Sequence, residues 1–212
     1  MDKITKIDIV TRKNNFDELK EETQNKLIKD YKEILINDNF DMLPENFNYI
    51  LKEDYNLYNF QINYSLSYCQ GDGVCFYNNK YNLLSYEVLK NKDIKNANIF
   101  EKYIIENNLI NDKLLDYLCE GYNLGIFKRN NNYSYAKTCF IDYEYYYNDD
   151  EKETINNYIE LIIDKLYNLY LDICIELEKI GYSNYDVSDQ EVKEYISDQE
   201  YEFLENGEIY ED

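Results

Sequence analysis

The residue with the greatest capacity for covalent chemistry is Cys75, in the stretch YCQGDGVCFY that spans residues 68–77. The chain holds only six glycines, and two of them, Gly71 and Gly73, lie in this stretch. A cysteine nucleophile of this kind needs an imidazole that accepts the thiol proton and later protonates the leaving group. The sequence contains no histidine. We therefore expect Cys75 to be a buried small thiol.

The segment GDGVCFY, residues 71–77, resembles the loop that presents the nucleophile in ovarian-tumour-type deubiquitinases. That resemblance implies a catalytic Cys75, but it covers only this segment and lacks the histidine that the chemistry requires. We expect no catalytic residue. The glycines are instead expected at positive φ, with the aspartate bonding local backbone amides in a tight turn or bulge. A binding role for the turn is the alternative; its residues are Gln70, Gly71, Asp72 and Gly73.

Metal and cofactor chemistry finds little support in the sequence. Without histidine, carboxylates are the only hard ligands, and NDNFDMLPEN at 37–46 lacks the glycine and terminal glutamate of a calcium loop. No phosphate-binding or dinucleotide fingerprint occurs either, because GDG has neither a third glycine nor a Lys-Ser pair. We expect no metal and no cofactor. Paired carboxylates for acid/base catalysis stay open, since 43 acidic residues supply many candidates and nothing selects one pair.

The overall charge argues against a direct binder of nucleic acid. The chain has 43 acidic and 22 basic residues, a formal net charge of −21. Binding to phosphates needs a patch of Lys and Arg, and no basic run here exceeds two residues, as at Lys128-Arg129. An acidic surface attracts basic partners, although acidity can also serve solubility alone.

One segment combines tyrosines with carboxylates, DYEYYYNDDEKE at residues 142–153. Carboxylates spaced like phosphates could occupy a basic channel built for nucleic acid, with tyrosine rings in place of stacked bases. Alternatively, the tyrosines cover a core and the acids form the first turn of the next helix. The predicted partner-binding residues are Asp142, Glu144, Tyr145, Tyr147, Asp149, Asp150, Glu151 and Glu153.

The C-terminal segment, residues 182–212, is the most acidic part of the chain. It holds eleven acids and one lysine. A solvated tail is one interpretation, and a second partner-binding surface is the other. Ser188-Asp189-Gln190-Glu191 is a capping box that predicts a short helix within this segment, and Asn206-Gly207 predicts a turn near its end.

The five cysteines form no C-x-x-C pair, and their odd number argues against a disulfide framework. We expect reduced thiols in a cytoplasm. No segment approaches eighteen consecutive apolar residues, and MDKITKIDIV has no long apolar run, so we expect neither a membrane span nor a signal peptide.

Hydrophobic spacing predicts the secondary structure. Apolar residues three and four apart predict an amphipathic helix over 16–35 and a long helix over 154–180 that stops at Gly181. A break over 38–45, a short helix over 47–52 and a helical stretch over 100–120, ended by Gly121 and Gly125, complete the helical prediction. Alternation predicts strands, at 4–11, 58–68, 74–77 and 133–147.

These elements predict a single α+β domain over residues 1–212. An antiparallel sheet of three to four strands should pack against two or more amphipathic helices, and the acidic helix and tail at 182–212 should follow.

Three motifs, in chain order, resemble a broad family of small phage and prophage accessory proteins. They are FDELKEETQNKLIKDY at 16–31, YCQGDGVCF at 68–76 and SDQEVKEYISDQEYEFLENGEIY at 188–210. The family is largely uncharacterised and sometimes loosely called antitoxin-like. This chain departs from it by Cys69 in place of a usual serine and by lacking the family's tryptophans. The family often has alanine or serine at the position of Cys75, which also argues against a nucleophile.

Charge, the missing catalytic apparatus and this resemblance lead to one hypothesis. The chain is a phage-encoded stoichiometric inhibitor of a host CRISPR-Cas defence complex, acting in the bacterial cytoplasm. Its acidic surface would occupy a basic nucleic-acid-binding groove of the effector or its ribonucleoprotein complex. An antitoxin-like protein that binds a basic partner is the first alternative, and an enzyme that uses carboxylates alone is the second.

Overall fold

The computed structural model describes residues 13–78, 83–129, 133–144 and 150–210. Within these ranges two pairs of short antiparallel strands lie between groups of helices, which confirms the predicted α+β class. The helices are α1 (Glu21–Asp41), α2 (Leu43–Glu53), α3 (Tyr86–Asn91), α4 (Ile99–Glu106), α5 (Asp112–Cys119), α6 (Asp150–Ser183) and α7 (Asp189–Asp198). The strands are β1 (Gln61–Ser65), β2 (Gly73–Tyr77), β3 (Leu124–Lys128) and β4 (Cys139–Tyr143).

The chain divides into two compact units. The terminal unit comprises Met1–Asp41 and Asn184–Asp212, and the central unit comprises Met42–Ser183. Each unit encloses buried apolar side chains of its own. The predicted single domain over 1–212 stays a prediction.

The strands of the central unit form two antiparallel pairs. β1 pairs with β2 from Gln61↔Tyr77 to Ser65↔Gly73, and β3 pairs with β4 over their full length. A backbone hydrogen bond from Asn78 N to Ile126 O, at 2.9 Å, attaches the residue after β2 to β3.

The predicted single sheet of three to four strands is therefore wrong in its strand number. Each described sheet has two strands, because β4 pairs with β3 and not with β1 or β2. β3 was not predicted: its sequence LGIFK does not alternate, and Gly125 within it was interpreted as a helix stop. The predicted strand over 133–147 begins only at Cys139, after a short 3-10 turn at Ala136–Thr138, and ends at Tyr143.

Helix α6 supports the strands through one continuous apolar face. Residues at three- and four-residue spacing are fully buried along it, including Ile159, Leu166, Tyr170 and Leu177. The Tyr170 ring lies 4.8 Å from the Phe76 ring of β2. Each such buried side chain contributes roughly 1.5–3 kcal/mol, so this face explains why a long helix forms here.

The predicted end of this helix at Gly181 is wrong, because α6 continues to Ser183. Gly181 is needed for close packing instead. A Cβ at this position would lie 2.4 Å from Leu66 Cδ1 and 3.2 Å from Phe47 Cζ. By contrast, Gly121 follows α5 with a φ of +88° and is a true helix stop, as predicted.

The N-terminal helices differ from the sequence prediction. The helix predicted over 16–35 begins only at Glu21, after a 3-10 turn at Phe16–Glu18, and α2 is longer than the predicted 47–52. α1 runs to Asp41 and α2 begins at Leu43 with Pro44 in its first turn, so the predicted break over 38–45 reduces to Met42. Pro44 fits there because the first turn of a helix needs no N–H donor from it. The predicted strand at 4–11 lies outside the described residues.

The terminal unit is held by a cluster of buried apolar residues. α1 contributes Leu27 and Ile28, α7 contributes Val192 and Ile196, and the last segment contributes Phe203. The predicted turn at Asn206-Gly207 is present, since Gly207 has a φ of +87° and its N–H bonds Leu204 O at 2.9 Å.

Candidate functional site

The candidate site is the acidic surface of the terminal unit, which we define as the exposed acids of residues 184–210. Of the candidates, it has the largest number of side chains that the structure describes. Nine acids and one lysine occur in that range. Each of the nine acids is exposed to solvent: Asp186, Asp189, Glu191, Glu194, Asp198, Glu200, Glu202, Glu205 and Glu208.

The acidic surface belongs to a folded segment. The Ser188 hydroxyl accepts a hydrogen bond from Glu191 N at 3.2 Å, and Glu191 Oε2 accepts one from Ser188 N at 2.7 Å. This capping box starts α7, as predicted, and orients Val192 and Ile196 toward α1. The acids therefore project into solvent from a segment that packs through Val192 and Ile196.

Among the described residues, most of these carboxylates form no ion pair with a lysine or arginine. Glu202 pairs with Lys13 at 2.8 Å and Asp189 with Lys32 at 3.1 Å. Within the described residues, no ion pair joins the other seven acids to a lysine or arginine: Asp186, Glu191, Glu194, Asp198, Glu200, Glu205 and Glu208. Like charges held on one segment repel one another, and a basic partner surface would relieve that repulsion.

The structure describes only part of the predicted partner-binding segment at 142–153. Asp142 is half-buried on β4, where its Oδ1 accepts from Tyr143 N at 2.9 Å. Glu144 and Glu153 are exposed. Tyr145, Tyr147 and Asp149 lie outside the described residues, as do the side chains of Asp150 and Glu151. The structure therefore does not bring these eight predicted residues together as one described surface.

β4 fits the alternative interpretation, in which the tyrosines of residues 142–153 cover a core. Cys139, Ile141 and Tyr143 are buried, and the residues between them are half-buried. The Tyr143 hydroxyl donates to Glu160 Oε1 at 3.1 Å. This strand covers a core with one face, and its buried tyrosine is not available to a partner.

The turn at Gln70–Gly73 has the predicted geometry. Gly71 and Gly73 have φ values of +94° and +143°. Asp72 Oδ1 accepts from Ser65 Oγ at 2.6 Å, and Oδ2 accepts from Ser67 N and Cys69 N at 2.6 and 2.7 Å. The Ser65 hydroxyl, followed by the Cys69 amide, lowers the pKa of Asp72. The carboxylate thus closes the turn in its ionised form.

Both glycines also permit close packing against the segment before β4. A Cβ on Gly71 would lie 2.5 Å from Tyr133 Cδ1, and one on Gly73 would lie 3.1 Å from Tyr135 Cα. A cavity of about 630 Å³ borders the turn, with Lys137 and Ile175 in its lining. The alternative binding role of Gln70–Gly73 stays a prediction.

Cys75 is fully buried in β2, which confirms the predicted buried thiol. Thr138 Oγ1 donates to Cys75 Sγ at 3.7 Å. Cys139 and Cys174 are buried as well, and burial raises the pKa of Cys174 to about 12. The hydrogen bond with Cys139 lowers the pKa of Cys75 to about 7, so the case against a nucleophile rests on its burial and not on its pKa. A nucleophile must meet its substrate, and this thiol has no exposed surface.

Sequence reasoning assigned the acids of residues 184–210 to no specific site, because charge density alone does not distinguish a tail from a folded surface. The distinguishing signal was the apolar pair Val192 and Ile196 behind the capping box, four residues apart. Such spacing buries one helix face and leaves the others to the acids.

Two further properties bear on the class of site. Among the described residues, no group of three or more histidine, cysteine, aspartate or glutamate side chains is arranged to hold a metal ion. None of the described helices has the length and apolar character that crossing a membrane requires.

No protein-family model, curated protein or solved structure matches this chain.

Proposed function

We propose that this protein is a stoichiometric inhibitor that binds a basic groove of a nucleic-acid-binding partner through the acidic surface of residues 184–210. The observation that carries the proposal is the exposure of nine acids on a segment that packs through Val192, Ile196 and Phe203. A surface held in place loses less conformational entropy on binding than a disordered tail does.

The charge balance of this surface favours a basic partner. One lysine, Lys193, accompanies the nine acids of residues 184–210, so the segment repels nucleic acid itself. A groove that binds phosphates presents lysines and arginines, whose positive charge is complementary to these acids. Carboxylates on a rigid scaffold can occupy such a groove and exclude its nucleic acid.

The partner class that we propose is a host CRISPR-Cas effector or its ribonucleoprotein complex, in the bacterial cytoplasm. The support for this partner is the resemblance of residues 16–31, 68–76 and 188–210 to phage accessory proteins.

A titration of inhibition tests this proposal. Purified inhibitor is added to a CRISPR effector from the host, and target cleavage is measured at several salt concentrations. We expect cleavage to be lost near one inhibitor per complex and to recover as salt rises. The reason is that the screening length between charges shortens from about 10 Å at 0.1 M to about 3 Å at 1 M.

The alternatives give different results. Capture of a small basic toxin from host lysate, without any effect on cleavage, would support the antitoxin-like function. Loss of activity at a ratio far below one inhibitor per complex would indicate turnover and would contradict stoichiometric binding.

A further inference from the structure

The cavity of about 630 Å³ beside the Gln70–Gly73 turn lies wholly on the central unit. Its described lining residues come from the turn, from the segment 133–137 before β4 and from α6. The volume falls in the range of about 300–1,000 Å³ in which proteins bind small molecules. The cavity is therefore large enough for a small ligand, and its lining determines which kind.

Hydrogen bonds and close packing fix two walls of this cavity. Asp72 accepts the three hydrogen bonds that close the turn. The Tyr133 ring covers Gly71 so closely that a Cβ there would lie 2.5 Å from Tyr133 Cδ1. The Thr138 hydroxyl donates to Tyr135 O at 2.8 Å and holds the segment before β4 in place. The cavity is therefore formed before any ligand enters, as is usual for small-molecule sites.

α6 supplies the third wall, with two apolar side chains and one carboxylate. Leu171, Ile175 and Glu178 are four and three residues apart, so they lie along one side of the helix. Ile175 is 47% exposed, and Tyr133 on the facing segment is 55% exposed. Apolar surface that water contacts in a concave site gains free energy when an apolar ligand group covers it.

The carboxylate of Glu178 is half-buried in this lining. A Cβ on Gly73 would lie 3.3 Å from Glu178 Oε2, so the carboxylate lies against the start of β2. Among the described residues, none forms a hydrogen bond or an ion pair with it. Burial, followed by the charge of Asp72, raises the pKa of Glu178. A cationic ligand group beside Glu178 would offset both effects.

Lys137 brings the opposite charge to the same cavity. It is exposed, and it forms no ion pair with Glu178 or with any other acid that the structure describes. The third charged lining residue, Asp72, already uses both oxygens within the turn. Residues 130–132, the undescribed residues next to this segment, are all asparagine and add no charge. The cavity thus offers one anionic and one cationic group to a ligand.

We propose that this cavity binds an α-amino acid with an apolar side chain, in its zwitterionic form. The ligand ammonium group donates to Glu178, the ligand carboxylate accepts from Lys137, and the apolar side chain packs on Ile175 and Tyr133. A ligand with a single charge forgoes one of these two ion pairs. The site lies on the central unit, so it goes beyond the proposed binding through residues 184–210.

An NMR titration of the full chain with phenylalanine and leucine tests the proposal, up to about 10 mM and so well above a weak Kd of about 1 mM. Matched analogues lack one charged group each: phenethylamine and hydrocinnamate for phenylalanine, isopentylamine and isocaproate for leucine. We expect at least one of the two amino acids to bind, at least about tenfold more tightly than both of its analogues. Absence of binding by both amino acids, or an analogue that binds as tightly as its amino acid, would overturn the proposal.

Charge-removing variants assign each contact. Glu178→Gln and Lys137→Met should each weaken amino-acid binding at least about fivefold. In Glu178→Gln the amino acid should lose its advantage over the carboxylate analogue, and in Lys137→Met its advantage over the amine analogue. Asp172→Asn and Lys179→Met, at exposed positions of α6 outside the lining, are the matched controls and should bind within about twofold of wild type. Equal effects of the site variants and the controls would contradict the assignment.

Discussion

Asn14 and Phe203, which lie 189 positions apart in the chain, exchange two backbone hydrogen bonds of 2.9 and 2.8 Å. Asn14 is 5% exposed and Phe203 is fully buried. This contact joins the segment before α1 to the segment after α7, so the acids between α7 and Phe203 are anchored at both ends. A packed acidic segment of this kind presents its charges in a fixed arrangement.

Phe203→Ala should therefore unfold the acidic surface. The substitution removes a fully buried ring from the cluster that joins α1 and α7, and such changes cost about 3–5 kcal/mol. Urea unfolding and hydrogen exchange of the terminal unit measure the loss. Ile209→Ala, at a residue 43% exposed, is the control and should cost less than about 1 kcal/mol. Similar losses for both variants would show that Phe203 is no anchor.

The turn at Gln70–Gly73 should depend on both backbone freedom and space. Gly73→Ala places a side chain at a φ of +143°, with its Cβ 3.1 Å from Tyr135 Cα, whereas Gly121→Ala meets no atom within 4 Å at a φ of +88°. Strain alone costs about 1–3 kcal/mol, and overpacking adds about 1–3 kcal/mol. We expect the Gly73 variant to lose more stability in urea unfolding, and equal losses would contradict the close packing.

Acid should weaken the same turn. The pKa of Asp72 is lowered in the folded chain by Ser65 Oγ and the Cys69 amide, so the carboxylate stabilises the fold above its unfolded pKa of about 4. That contribution is lost as pH falls through the lower folded pKa. Urea unfolding of Asp72→Asn should depend less on pH between about 5 and 2 than wild type does.

Ser65→Ala is the matched variant for this pH dependence, because it keeps the carboxylate and removes the side-chain donor at 2.6 Å. Its pH dependence should lie between those of Asp72→Asn and wild type. If all three chains lose stability equally on acidification, other carboxylates are responsible.

The cysteines should separate into two classes toward a thiol reagent. Cys69 and Cys119 are exposed, whereas Cys75, Cys139 and Cys174 are buried. The native chain should react rapidly at two thiols with a disulfide reagent, and all five should react after unfolding. Rapid labelling of Cys75 in the native chain, identified by mass spectrometry, would contradict its burial and reopen a nucleophilic role.

Prediction from sequence succeeded where a local pattern determined the structure. The α6 face, with Ile159 and Leu166 among its buried residues, repeats at helical spacing over many turns, and the capping box at Ser188 marks the start of α7. Likewise, the two glycines around Asp72 can only indicate a turn with positive φ.

Prediction failed where partners distant in the chain decide the structure. From the sequence alone Gly125 indicates a helix stop, but its pairing with Asp142 places it in a strand. Gly181 likewise does not end α6. Its lack of a side chain makes room for Leu66. The cavity lined by Gln70, Lys137 and Glu178 could not be predicted either, since these three residues come close together only in the folded chain.

Charge reversal distinguishes the acidic surface from the rest of the anionic chain. The variant Glu194→Lys, Asp198→Lys and Glu205→Lys changes three exposed acids of the terminal unit. The matched control changes three exposed acids of the central unit by the same total charge: Glu106→Lys, Glu120→Lys and Asp172→Lys. We expect the first variant to bind its partner at least about tenfold more weakly, and the control to bind within about threefold of wild type.

A third variant, Glu144→Lys with Glu153→Lys, tests the exposed part of the segment predicted first. It should weaken partner binding less than the reversal of Glu194, Asp198 and Glu205 does. A larger effect would place the main contact on the central unit.

The most direct test is affinity capture from host lysate by the immobilised wild-type chain, the variant with Glu194, Asp198 and Glu205 reversed to lysine, and its matched control, each at low and high salt. We expect wild type and control to retain the same nucleic-acid-binding complex at low salt and to release it at high salt, and the reversal variant to retain none. Equal retention by all three chains, unaffected by salt, would contradict binding through the acidic surface of residues 184–210.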